Sequence, residues 1–258
     1  MKRIFQISNA VALVTTVIIN YLSNIGIFNN ETMATISAKY QNLFTPAGYA
    51  FSIWGLIYLG VFGFVIYYGP FSKETTHKNQ VIEKVGWWFV ISCIANSFWV
   101  IAWLYEYTFI TILLMGLLFV SLLKIILNTE DDLVKSSFQT SLFLKIPFYI
   151  YSGWISVALI ANVAAYLKKM DWNGFGISET TWTVLLFCIA TIIHLFMIWK
   201  RNMPAFGMVA VWALIAIAVA NKTVNDTVYL SAIIFAIFIF TNVALRFFGL
   251  KKREFYEK

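Results

Sequence analysis

Charge is scarce in this sequence. Asp, Glu, Lys and Arg make up 12% of its 258 residues, while hydrophobic residues make up 60%. Soluble domains carry about 25% charge, so the composition excludes an ordinary solvated globule. Cysteine is almost absent. Cys93 and Cys188 both lie inside apolar runs, outside any CxxC or Cys/His cluster. That excludes a disulfide framework and a cysteine-based metal site, and both thiols read as small hydrophobes. There is no glycine-rich phosphate loop, heptad array or low-complexity tract. No nucleophile–base pattern suggests an enzyme, and Asp131 and Asp132 sit in a polar stretch that reads as a loop.

What fills the chain instead is a series of apolar runs, each long enough to cross a bilayer, which takes about 20 residues. In hydrocarbon every backbone polar group needs an internal partner, and the short alternating segments of a barrel are missing, so the runs must be helices. The expected fold class is an all-α integral membrane protein with about eight transmembrane helices. Their predicted limits are Ile4–Ile27, Ala47–Tyr68, Trp87–Tyr105, Tyr107–Leu127, Ser141–Leu167, Thr181–Trp199, Ala205–Ala220 and Val228–Phe248. The start, Met1-Lys2-Arg3 before an apolar run with no small-x-small cleavage site, reads as an uncleaved first span. The tight join around Glu106 requires the third and fourth spans to be antiparallel.

The net charge of +7 reflects loop placement rather than a nucleic-acid partner. With the N-terminus inside, inner segments hold most of the cations, among them Lys2, Arg3, Lys73, Lys78, Lys84, Lys135, Lys200, Arg201 and Lys258. Outer segments hold only Lys39, Lys168, Lys169 and Lys222. The bias predicts a plasma-membrane protein with both termini cytoplasmic. The outer stretch Phe28–Thr45 can cap the bundle or line an entrance, and the inner stretch Ser72–Lys84 reads as solvated. Pro46-Ala47 with Trp54, Leu56, Ile57 and Val61 matches Pro204-Ala205 with Trp212, Leu214, Ile215 and Val219 at equal spacing. Inverted repeats would look like this, and so would coincidence in apolar sequence.

Four features could carry chemistry. Phe51, Trp54 and Tyr58 lie three and four residues apart, which on a helix puts three rings on one face. Asn96 and Trp99 share the third span. Trp154, Ala158 and Asn162 repeat every four residues on the fifth, with Tyr166 one turn on. His194 is the only histidine within a span. The rings can be plain packing or one wall of a pocket for a flat, apolar ligand. The amides can fix helix packing or form a polar floor. His194 reads as a hydrogen-bonding residue, with axial haem ligation or proton relay as the sharper alternative.

These residues carry a resemblance. The run Pro46-x-Gly48-Tyr49-x-Phe51-x-x-Trp54-x-x-x-Tyr58 resembles the second-helix opening of the TspO/translocator-protein family, the tryptophan-rich sensory proteins. Asn96-x-x-Trp99 is similar to its third-helix motif, and Tyr151-x-x-Trp154-x-x-x-Ala158-x-x-x-Asn162 to its fifth. The resemblance implies a five-helix bundle over residues 1–169, leaving 170–258 as three additional helices of unknown role. It implies an aromatic intramembrane pocket under the first loop that binds a porphyrin-like ligand. By motif matching that pocket comprises Tyr49, Phe51, Trp54, Tyr58, Asn96, Trp99, Trp154, Ala158 and Asn162. No cofactor is required, a bound porphyrin or haem is the implied ligand, and the partners are the lipid bilayer and, unless the extra spans cover the surface, a second copy. The chain departs from the family in having Pro46-Ala47 where two prolines are usual and no tryptophan in Phe28–Thr45. The rival readings are a secondary transporter and an intramembrane enzyme acting on an isoprenoid, lipid or porphyrin.

Overall fold

A computed structural model describes residues 1–134 and 137–256, and Lys135 and Lys258 of the inner cations lie outside them. The described residues form helices and no strand. In chain order these are α1 (Lys2–Asn24), α2 (Met33–Lys39), α3 (Ile53–Tyr68), α4 (Thr76–Val85), α5 (Trp88–Leu104), α6 (Thr108–Asn128), α7 (Glu130–Val134), α8 (Phe138–Thr140), α9 (Ile146–Lys169), α10 (Glu179–Lys200), α11 (Pro204–Asn221) and α12 (Asp226–Tyr256). Among the described residues seven helices are long and apolar enough to span a membrane, or up to eight if α4 and α5 count as one bent span. All eight expected spans have a helical counterpart. The third is short because Gly86, at a positive φ of 51°, breaks the chain between α4 and α5, which meet at 46°.

Contacts divide the chain into two compact units, Met1–Lys39 with Ser52–Ile155, and Tyr40–Phe51 with Ser156–Lys258. In the first unit α5 packs on α1 and on α6. The α5–α6 turn carries Glu106 at positive φ, and Lys39 of α2 pairs with its carboxylate at 2.6 Å. The loop between α1 and α3 thus caps α5, and Asn29 adds a hydrogen bond to the Leu104 carbonyl at 3.0 Å. Helix α1 is inverted relative to a soluble helix. Gln6, Asn9, Thr16 and Ser23 are buried, while Ile4, Ile7, Val11, Val14 and Ile18 are exposed. That pattern suits a helix with lipid outside and polar partners inside. Close helix approach recurs where α3 meets the start of α9, since a Cβ on Gly60 would lie 3.1 Å from Pro147.

Three expectations need correction. Asp131 and Asp132 lie not in a loop but in the first turn of the short helix α7. The stretch Ser72–Lys84 is not simply solvated. It contains most of α4, capped by Thr75 accepting from the Lys78 amide, and Val81, Ile82 and Val85 are buried along its inner face. Its rim is charged: Lys84 and His77 lie 2.7 and 3.4 Å from the Asp132 carboxylate. The second span does not start as an α-helix at Ala47 either. A 3-10 turn, Gly48–Ser52, precedes α3, so Phe51 is not in α-helical register with Trp54 and Tyr58.

At the start of α1, Lys2 pairs with Glu74 at 2.5 Å, and that hydrogen bond holds the Glu74 carboxyl below its ordinary value of 4.5. A depressed acid stabilises above its unfolded pKa, and that stabilisation is lost as pH falls through the folded value. Glu74→Gln should therefore melt slightly below the parent at pH 7. The gap should close below pH ~4, and a gap that persisted in acid would rule out the ion pair as its source.

In the second unit α10, α11 and α12 pack together, with α11 the most buried span. The stretch Tyr40–Phe51 belongs to this unit and is strapped to it by hydrogen bonds. The Ala47 amide donates to the Ala216 carbonyl at 3.0 Å, Trp212 Nε1 to the Ala50 carbonyl at 3.2 Å and Asn221 Nδ2 to the Leu43 carbonyl at 3.0 Å. The C-terminal helices therefore satisfy backbone groups of the segment that leads into α3. The two Pro-Ala starts are built differently, since Pro204 opens α11 directly whereas Pro46 precedes the 3-10 turn.

Candidate ligand-binding site

The first unit gathers Tyr58 and Trp99 of the expected pocket around Trp54, together with Tyr151 of the fifth-span motif, which bonds to Asn96. On α3, Trp54 and Tyr58 are four residues apart and stack at 5.6 Å with planes 25° apart. From α5, Trp99 stacks on Trp54 at 6.2 Å, and Trp103 continues the stack one turn on at 6.4 Å from Trp99. From α9, Tyr151 meets Trp54 edge-on at 5.8 Å. The i, i+4 spacing of helices brings each in-helix pair together, and offset rings at these separations are favourable.

Beside the rings runs a polar chain. Asn20 Nδ2 donates to Asn96 Oδ1 at 2.8 Å, and Asn96 Nδ2 donates to Tyr151 Oη at 3.2 Å, joining α1, α5 and α9. Nearer the other end of α1, Thr16 Oγ1 donates to the Cys93 carbonyl and shares a hydrogen bond with Ser97, both at 3.1 Å. Asn96 is fully buried, and its neighbours Trp99 and Tyr151 are buried. The Tyr58 hydroxyl is buried with no hydrogen-bond partner among the described residues. A buried hydroxyl normally finds one, so Tyr58 brings an unused donor and acceptor to the ring stack.

The other expected site residues are placed as follows. Trp154 is buried in the first unit. Tyr49, Phe51, Ala158 and Asn162 belong to the second unit. There Tyr49 is 41% exposed and packs edge-on against Trp212 at 5.3 Å. Asn162 is buried and donates to the Ala158 carbonyl of its own helix at 3.1 Å. His194 is fully buried; its Nδ1 donates to the Ala190 carbonyl at 2.7 Å, its Nε2 lies 3.4 Å from Ser156 Oγ, and its ring packs on Phe206 at 4.7 Å. That is a hydrogen-bonding placement, and among the described residues there is no cluster of three or more His, Cys, Asp and Glu that could hold a metal ion. Sequence reasoning missed Asn20 and Trp103, and left Tyr151 out of the pocket although it stands in the fifth-span motif. Asn20 could have been found from the polar repeat Gln6, Asn9, Thr16, Asn20, Ser23, spaced as one helical face.

These features define a class: an all-helical, multi-pass membrane protein with an aromatic cluster and a buried polar network among its spans. The family model of TSPO-like proteins matches residues 6–245, from the first span into the last. The chain belongs to the TSPO-like protein family. The match includes α10, α11 and most of α12, the helices that a five-helix bundle would leave out. Among curated proteins and among solved structures nothing matches the chain.

Proposed function

We propose that this protein binds a flat, hydrophobic, tetrapyrrole-like ligand at the ring cluster of its first unit, and that this binding serves transport, sensing or stress regulation in the plasma membrane. The observation that carries the reading is the stack of Tyr58, Trp54, Trp99 and Trp103 beside the Asn20–Asn96–Tyr151 chain. Ring faces suit a macrocycle, and a small number of convergent polar groups suits its edge. The Tyr58 hydroxyl supplies a hydrogen-bonding group that nothing in the described chain uses. Membership in the TSPO-like family supports the same reading. The charge bias of the loops supports cytoplasmic termini.

The test is a titration of the detergent-solubilised protein with protoporphyrin IX and with haem, read by tryptophan quenching and the Soret band. Saturable binding that weakens at least tenfold in Trp54→Ala/Trp154→Ala is the expected result. Equal binding by parent and variant, with both folded, would assign the ligand elsewhere. Tyr49→Ala, Phe51→Ala, Ala158→Leu and Asn162→Ala in the same titration test the residues that the family resemblance adds.

A further inference from the structure

The second unit contains a cavity of about 380 Å³ at the end where α9 stops and α10 starts. Its floor is apolar: Phe44, Val163, Leu167 and Leu186 line it, and Phe44 is itself fixed by packing on Phe187 at 5.6 Å. Two indoles, Trp172 and Trp182, stand 5.1 Å apart on one side. Trp182 is held in place, since its Nε1 donates to the Gly174 carbonyl at 2.8 Å. Gly174 has φ +66°, and a Cβ there would lie 3.1 Å from the Trp182 ring nitrogen, so both backbone and ring need glycine. One cation, Lys168, and one carboxylate, Glu179, complete the lining. Glu179 Oε1 accepts from the Leu43 amide at 2.9 Å, which orients the carboxylate, and no salt bridge among the described residues neutralises its charge.

The cavity lies at the ends of two candidate spans, Phe138–Lys169 and Glu179–Lys200, where hydrocarbon gives way to headgroups and where tryptophan is enriched. We propose that it is a binding site for a zwitterionic phospholipid from the surrounding bilayer. An acyl chain lies on the apolar floor, the phosphate meets Lys168, and the ammonium meets Glu179 and the indole faces. Charge complementarity selects this occupant. An anionic phospholipid offers Lys168 a partner but leaves Glu179 facing like charge, and a simple alkylamine does the reverse. Because Asn42 and Phe44 line the cavity, a bound lipid also props the strapped stretch Tyr40–Phe51 within its own unit. The site shares no residue with the ring cluster and does not rest on the function proposed for it.

Native mass spectrometry of the detergent-solubilised protein, titrated with phosphatidylethanolamine and with phosphatidylglycerol, tests the assignment. Phosphatidylethanolamine should be retained about tenfold more tightly. Glu179→Gln keeps an acceptor for the Leu43 amide but removes the charge, so it should abolish that preference without lowering the melting temperature. Ala164 also lines the cavity, so Ala164→Phe, which fills the slot, should lose retention of both lipids, with size-exclusion profile and melting temperature confirming that the variant is folded. Equal retention of the two lipids by the parent, a preference for phosphatidylglycerol, or retention unchanged in folded Ala164→Phe would each overturn the proposal.

Discussion

Gly207→Leu should yield little or no folded protein. A Cβ at this position would lie 2.6 and 2.8 Å from Ile198 Cδ1 and Cγ1 and 2.9 Å from Val243 Cγ2. Ile198 on α10 is fully buried and Val243 on α12 is buried, and α11 between them is the most buried of the three helices. All three contacts are side-chain atoms in a packed crossing, so an added Cβ must displace Ile198 and Val243 together. Overpacking by even a methyl group costs about 1–3 kcal/mol in a tight core, and small residues at helix crossings are what allow membrane helices to approach. Gly207→Ala should therefore lower the melting temperature by several degrees, and the leucine variant should aggregate or be degraded. Gly116→Ala is the control: nothing lies within 4 Å of its added Cβ, and α6 continues on both sides of it. Alanine there should leave stability unchanged or raise it by about 0.5–1 kcal/mol. If folded Gly207→Leu melted with the parent, the close approach of α10, α11 and α12 would be wrong.

The spans were legible because the length of an apolar run is itself the physical requirement for crossing hydrocarbon. Ends were less so. Nothing in Ala47-Gly48-Tyr49 announces a 3-10 turn, because the turn is set by the strap to Ala216 and Trp212, and hydrogen bonds to distant backbone carbonyls leave no local signature. Helix α4 was hidden by the charges on its outer face, although Val81, Ile82 and Val85 carry the helical spacing of a half-buried element. Within the candidate site, the Trp54–Tyr58 stack follows from spacing alone. The arrival of Trp99 beside it was expected only through family resemblance, since contacts between α3 and α5 cannot be read from either helix. The polar face of α1 is present in the spacing of Gln6, Asn9, Thr16, Asn20 and Ser23. In apolar surroundings each such residue looks like an isolated exception, and only the neighbouring helix shows that Thr16 and Asn20 have partners.

Asn96→Leu should destabilise the first unit by about 1–3 kcal/mol, because Asn96 is the node through which α1 reaches α9. The substitution keeps the volume but removes the bond from Asn20 at 2.8 Å and the bond to Tyr151 at 3.2 Å. The two partners lose unequally. Asn20 Nδ2 also donates to the Thr16 carbonyl of its own helix at 2.9 Å, so it is only partly deprived. Tyr151 is 4% exposed, and lipid offers its hydroxyl nothing in exchange. A cycle with Asn20→Ala separates the terms: interhelical hydrogen bonds in membranes couple by about 0.6–1.7 kcal/mol, and strictly additive losses would mean that the Asn20–Asn96 bond does not form. The same variants distinguish packing from ligand binding. If the polar chain only holds helices together, porphyrin affinity should recover fully at temperatures where the variant is folded. If it meets the polar edge of the ligand, affinity should stay depressed in folded Asn96→Leu, and the loss should be smaller in Asn20→Ala, which leaves the Asn96–Tyr151 bond in place.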